Sequence, residues 1–200
     1  MRILGISASP RKDGTTVAMI NEALKSAKAA GADVELFSVA GKNIQPCEGC
    51  WSCTKTGKCK QKDDVAVLFE KMLAADSIIF GSPVYFWGMT AQAKAIIDRT
   101  ISLREPGKNL ASKVFGVVTS AGSLGMVDVL KDLSFYCVQR RMLPANQVSA
   151  YVGPDGLKSM PKCLDALSML GRQMVALVKM NFKYPEEFAK GPGSFGTHTK

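Results

Sequence analysis

The chain has 200 residues, 26 Lys and Arg against 17 Asp and Glu, and 6 Cys, for a net charge of +9. At 46% hydrophobic and 22% charged it can bury a sizeable core, which excludes wholesale disorder and a small disulfide scaffold. No apolar run approaches the roughly 20 residues of a membrane-spanning helix, and the start carries only Ile3-Leu4-Gly5-Ile6, too short for a signal-peptide core, so a cytoplasmic protein with reduced thiols is expected.

Residues 2–6 are an apolar run that ends in a Ser/Pro/Gly-rich stretch, the mark of a buried strand. A helix follows, with Val17, Ile20, Leu24 and Ala27 on one face and Gly31 as its stop. Residues 34–39 read as a second strand. A helix over about 63–74 leads to a third strand at 77–81, and a helix over about 90–103 leads to a fourth at 113–119. A helix over 126–142 aligns Met126, Leu130, Leu133 and Cys137 and precedes a fifth strand at 148–152. Pro161 opens a last helix, to about 181, with Leu164, Leu167, Leu170, Met174 and Leu177 along one face.

Strands alternating with helices specify one α/β domain, expected over 1–185, with a parallel sheet covered on both faces. The polar, Gly-rich stretch 186–200 is expected to be a flexible tail. Doubly wound sheets bind ligands at the carboxyl ends of their strands. No G-x-G-x-x-G follows the first strand and no GxxxxGK[ST] occurs, which argues against a dinucleotide-binding order and a P-loop.

Three strand-end loops carry binding chemistry. The first, Ser7 to Thr16, runs into a helix whose N-terminal N–H groups suit an anion. Ser9, Thr15 and Thr16 add hydroxyls, Arg11 adds a fork of donors, and Gly14 lets the backbone close around a phosphate. The same residues also suit ordinary helix capping. The second loop, Pro83-Val84-Tyr85-Phe86-Trp87, offers a wall for a flat ring. Trp87 suits a core or subunit-interface position equally well. The third, Ser120-Ala121-Gly122, is built of small residues that let a ligand approach the backbone. A phosphate cradle beside ring walls fits a mononucleotide with a large ring.

Ser9-Pro10-Arg11 with Gly14-Thr15-Thr16, Gly81-Ser82-Pro83-Val84-Tyr85 and Lys94-Ala95-Ile96-Ile97-Asp98-Arg99 resemble the NADPH-dependent FMN reductase group of flavodoxin-like proteins. The resemblance covers about residues 3–125. It implies a five-stranded sheet of order 2-1-3-4-5 and bound FMN. It puts the phosphate at Ser9, Arg11, Thr15 and Thr16, and the isoalloxazine against Pro83, Val84, Tyr85, Phe86, Ser120, Ala121 and Gly122. Gly14 stands where some members have Ser, one phosphate hydroxyl fewer. Asp98-Arg99 reads as a structural ion pair or a subunit contact, with no catalytic role.

The stretch 40–62, after the second strand, is too long for an α/β connection, which usually runs about 2–6 residues. It holds Cys47, Cys50, Cys53 and Cys59 as C-x2-C-x2-C-x5-C. The spacing leaves three readings open. A [4Fe–4S] cluster takes closely spaced thiolates on successive irons, and the x5 spacer with Gly57 lets Cys59 return to the same cluster. Zinc wants four thiolates on one ion, usually from two separated knuckles. Reactive thiols, activated by Lys55, Lys58, Lys60 and Lys62, are the third. A compact four-cysteine motif followed by Asp63-Asp64, in an FMN reductase relative, resembles the iron–sulfur flavoproteins, and this implies the cluster.

Cys137 reads as a small core hydrophobe, and Cys163 as inert. His198, the single histidine, lies in the tail, so no His-based triad or two-His metal site is available. The expected function is an FMN-dependent oxidoreductase with a [4Fe–4S] cluster. Its donor is ferredoxin or NAD(P)H, and its acceptor a small molecule or a protein. Alternatives are a cluster-free NAD(P)H-dependent flavin or quinone reductase and a flavodoxin-type carrier. The charge is scattered and no recognition motif occurs, so no nucleic-acid partner is expected, but a basic rim would steer an acidic partner such as ferredoxin. The resemblance implies a homodimer or homotetramer that completes the flavin site at a subunit interface.

Overall fold

A computed structural model describes residues 1–103 and 109–189. The expected tail, 186–200, falls outside it except for a short helix, Glu186–Ala189 (α7), and His198 lies outside the described residues.

The strands are β1 (Arg2–Ser7), β2 (Asp33–Ser38), β3 (Ser77–Tyr85), β4 (Gly88–Met89), β5 (Val114–Ala121) and β6 (Leu143–Tyr151). The helices between them are α1 (Thr15–Ala29), α2 (Ser52–Thr56), α3 (Val65–Ala74), α4 (Ala91–Arg99), α5 (Met126–Gln139) and α6 (Pro161–Lys179). Five strands form a parallel sheet in the order β2-β1-β3-β5-β6, and β4 folds back antiparallel on the end of β3. The middles of the central strands, Ile3 to Ile6, Ile78 to Phe80 and Val114 to Val118, are apolar because both faces of the sheet are covered. Leu4, Ile6, Ile78, Phe80, Phe115 and Val117 pack toward α3, α4 and α5. Ile3, Ile79, Val114 and Val118 pack toward α1 and α6. The alternation of neighbours between the two layers is the pleat. α1 and α6 cross closely at Gly171, where a Cβ would lie 2.1 Å from the Ala23 carbonyl oxygen.

Four boundaries differ from expectation. The third strand runs on to Tyr85 and ends in a hairpin, because Val84 and Tyr85 pair antiparallel with β4 beyond the parallel pairing that ends at Pro83. The helix expected over 90–103 ends at Arg99 and tightens into a 3-10 turn, Thr100–Ser102. The last strand starts at Leu143, earlier than its apolar run. It is an edge strand, where Pro144 and exposed polar residues are tolerated. The stretch 40–62 is not wholly irregular, since it contains α2. No helix among the described residues is long and apolar enough to cross a membrane.

Candidate functional site

The register of the parallel strands brings the first, second and third loops to one edge. Ser7 lies beside Gly81, and Pro83 beside Ser120. The Ala8 N–H donates to the Gly81 carbonyl at 2.8 Å. In the first loop Ser9 and Thr16 are buried, Gly14 and Thr15 half-buried, and Arg11 exposed. Ser9 Oγ accepts the Arg11 N–H at 3.2 Å, which uses an oxygen lone pair and leaves the hydroxyl proton to donate. Gly14 caps α1 with no side-chain hydrogen bond, and the first turn of α1 carries no acidic residue. The leading N–H groups of α1 therefore face the cradle without a capping carboxylate or hydroxyl, the condition for holding an anion. A Cβ on Gly14 would press to 3.1 Å from Ser9 Oγ and 3.2 Å from Arg11 Cβ. The missing Ser hydroxyl at this position is thus also a gain in room.

The residues expected to wall a ring come from two neighbouring strands at the same edge. Pro83 and Val84 are half-buried, Ser120 and Ala121 buried, and Tyr85, Phe86 and Gly122 exposed. Phe86 and Trp87 form the two-residue turn of the β3–β4 hairpin, both at positive φ (44° and 68°). Left-handed backbone costs roughly 1–2 kcal/mol for a side chain with a Cβ, and hairpin turns of this kind usually take Asn-Gly. Two adjacent aromatics held there, with Phe86 94% exposed, are the kind of strain that gathers at binding surfaces. Gly125, at φ 90°, packs under the turn, and a Cβ there would lie 2.7 Å from Trp87 Cα.

Sequence reading did not single out the threonines that lock these loops together. Thr90 Oγ1 caps α4 by accepting the Ala93 N–H and donates to the Ala8 carbonyl at 2.8 Å. Its N–H donates to Ser82 Oγ. Thr119 Oγ1 donates to the Ser82 carbonyl at 2.8 Å. The capping role was readable, since Thr precedes a run of good helix formers. The cross-loop role was not.

The four loop cysteines all line one cavity of about 140 Å³, closed on the far side by Asp98, Arg99 and Ile101. The two arms of the loop are zipped together. The Asn43 N–H bonds Asp64, the Gln45 N–H bonds Asp63, Gln61 Nε2 bonds the Pro46 carbonyl, and Lys60 pairs with Glu48 at 2.9 Å. Trp51, Gly49 and Gly57 turn the backbone of the loop through positive φ, and of the four cysteines Cys47 and Cys50 are exposed and Cys53 and Cys59 half-buried. Burial, reinforced by the charge of the other three cysteines, pushes the Cys53 thiol up. Among the described residues no group of three or more His, Cys, Asp or Glu is arranged to hold a single metal ion.

Asp98 and Arg99 do not pair with each other. Consecutive residues on a helix point about 100° apart. Asp98 therefore meets Lys94, one turn back, at 2.7 Å, and Arg99 turns inward to Asp63. Side chains of both Arg99 and Asp63 are 1% exposed. Burial draws the Asp63 carboxyl upward, but Arg99 and the N–H groups of Gln45 and Val65 outweigh it and hold it below the usual range. Cys137 and Cys163 are buried, and burial pushes the Cys137 thiol up to about 12.

The family model for NADPH-dependent FMN reductases matches residues 1–155. An iron-sulfur flavoprotein of Methanocaldococcus jannaschii is 36% identical over 191 residues, 90% of this chain and 98% of that protein. One of Archaeoglobus fulgidus is 33% identical over 150 residues, 74% of each. Among solved structures, a flavone reductase matches with TM-score 0.70 at 22% identity, covering 92% of this chain and 65% of its own. A flavodoxin from the domain Archaea matches with TM-score 0.59 at 16% identity, covering 90% and 99%. The fold is flavodoxin-like, and the chain belongs to the NADPH-dependent FMN reductase family.

Proposed function

We propose that this protein is an FMN-dependent oxidoreductase that also holds a [4Fe–4S] cluster. On this reading it passes electrons from ferredoxin or NAD(P)H to a small-molecule or protein acceptor. The observation that carries the reading is the convergence of Cys47, Cys50, Cys53 and Cys59 on one cavity. Four cysteines lining one cavity suit a cluster whose ligands sit at separate corners. The relatives named iron-sulfur flavoproteins support the same reading.

Bound FMN would supply two-electron chemistry and a cluster single-electron transfer. The chain's residues would do the rest. The α1 N–H groups, Arg11 and the hydroxyls of Ser9 and Thr15 would hold the phosphate. Pro83, Val84, Tyr85 and Phe86 on one side, and Ser120, Ala121 and Gly122 on the other, would flank the ring and exclude water. The exposed turn at Phe86 and Trp87 would be covered by a second subunit in a homodimer or homotetramer. Exposed Lys55, Lys58, Lys60 and Lys62 rim the cysteine loop and would attract an acidic protein donor.

The experiment is an absorption spectrum of anaerobically purified protein with iron, sulfide and FMN quantified. Flavin bands together with a broad iron–sulfur band and matching iron and sulfide support the reading. Flavin without iron or sulfide sinks the cluster and leaves a cluster-free reductase or carrier, which steady NAD(P)H turnover then separates.

A further inference from the structure

Arg99 is a costly residue to bury unless its charge is met. Its neighbourhood meets it unevenly. Nη1 donates to Asp63 and, at 3.2 Å, to the Gln45 carbonyl. Nη2 points the other way, to Cys59 Sγ at 3.5 Å. Nε has no hydrogen-bond partner among the described residues. A guanidinium that served only to neutralise Asp63 would do best with two parallel bonds to that carboxylate. Here one arm of the fork is diverted to a sulfur.

Asp63 meanwhile joins both ends of the cysteine loop. Its Oδ2 accepts the Gln45 N–H from the incoming arm, and its Oδ1 accepts the Val65 N–H at the start of α3. The Asp63–Arg99 pair therefore seats the neck of the loop on α4, while the second arm of the fork reaches into the cavity. Lys94, Asp98 and Arg99 all come from α4, but only Arg99 faces the thiols from within the core.

We infer that Arg99 is a positioning residue of the cysteine site, acting through Cys59: its Nη2 holds the Cys59 sulfur in place and sets the electron affinity of the cluster that sulfur would ligate. This rests on the cluster reading above. A donor N–H and a positive charge at a ligand sulfur stabilise the more negative, reduced form of a cluster and raise its potential.

The test compares wild type, Arg99→Lys and Asp63→Asn, each purified anaerobically. Lysine keeps a charge opposite Asp63, but its single nitrogen cannot also hold Cys59. Asp63→Asn breaks the ion pair and leaves Nη2 on Cys59. The readouts are thermal midpoint, iron release to a chelator, and the potentials of cluster and flavin by spectroscopic titration. In Arg99→Lys the cluster potential should fall and iron release quicken about 10-fold, while the flavin potential stays at the wild-type value. In Asp63→Asn the thermal midpoint should fall without a fall in cluster potential. A loaded Arg99→Lys protein with wild-type cluster potential overturns the inference. If Arg99→Lys does not retain iron, retention by an equally destabilised Asp63→Asn supports it, and equal loss from both overturns it. Wild type with no iron overturns the cluster reading itself, a distinct result.

Discussion

Thr16 Oγ1 and Ser120 Oγ stand 3.0 Å apart, a buried hydrogen bond between the first turn of α1 and the end of β5. It ties the proposed phosphate cradle to the proposed ring wall. Thr16→Val would leave the Ser120 hydroxyl buried without a partner, at about 1–3 kcal/mol. Both thermal midpoint and FMN affinity should fall. Thr15→Val, on the open side of the cradle, should weaken FMN alone. Melting curves of the apoproteins and fluorescence titrations with FMN check the contrast, and matched effects of the two variants would place both hydroxyls in one role.

Arg11 is exposed, and its guanidinium makes no hydrogen bond or ion pair among the described residues. Arg11→Ala should leave the apoprotein's thermal midpoint unchanged and weaken FMN by about 10-fold to 100-fold, the worth of a charge-assisted bond. Riboflavin, which has no phosphate, should bind the variant and wild type equally. Unchanged FMN affinity would remove Arg11 from the phosphate site.

Gly125→Ala meets two obstacles, the positive φ and the Trp87 backbone at 2.7–2.9 Å. Backbone cannot step aside as a flexible side chain does, so the Phe86–Trp87 turn must shift. The expected outcome is a loss of about 1–3 kcal/mol together with weaker FMN binding, measured by denaturant unfolding and titration. Gly122→Ala, with no atom within 4 Å of the added carbon, should leave stability unchanged.

The Asp63–Arg99 pair gives stability a particular dependence on pH. The Asp63 carboxyl sits lower in the folded chain than its unfolded value of about 3.9. Its contribution is therefore complete above that value and is lost as pH falls through the folded one. Asp63→Asn should cost about 3–5 kcal/mol near neutrality, because it leaves Arg99 buried and unpaired. The difference in thermal midpoint between variant and wild type should shrink below about pH 4. A difference that stays constant through that range would mean the carboxyl is not the group that titrates.

The proposed docking of an acidic donor such as ferredoxin on the lysines around the cysteine loop predicts a salt dependence. The rate of electron transfer from ferredoxin should fall as ionic strength rises, by the screening of exposed charge. Stopped-flow rates at low and high salt measure it, and a flat response would detach the basic rim from partner docking.

Much of this architecture was legible locally. Apolar runs broken by Gly, Pro and Ser mark β1, β3 and β5 because both sheet faces are covered, and the 3–4 spacing of Val17, Ile20, Leu24 and Ala27 marks α1 because one face packs on the sheet. The hairpin at Tyr85 and Gly88 was not legible. Its turn uses Phe and Trp where local chemistry asks for Asn and Gly, so only the surrounding packing holds it.

Asp98 and Arg99 show where the two kinds of information divide. The sequence by itself determined that a four-cysteine loop follows the second strand of an α/β domain, and that its binding loops share the carboxyl edge, because parallel strands leave no other arrangement. Only the tertiary structure decided which distant groups meet: Thr16 with Ser120, Thr90 with Ala8, and Arg99 with Asp63 and Cys59. Periodicity tells a residue which face it occupies. Its partner across the fold is set by register, helix packing and the requirement that a buried charge or hydroxyl be met, and those are properties of the folded chain as a whole.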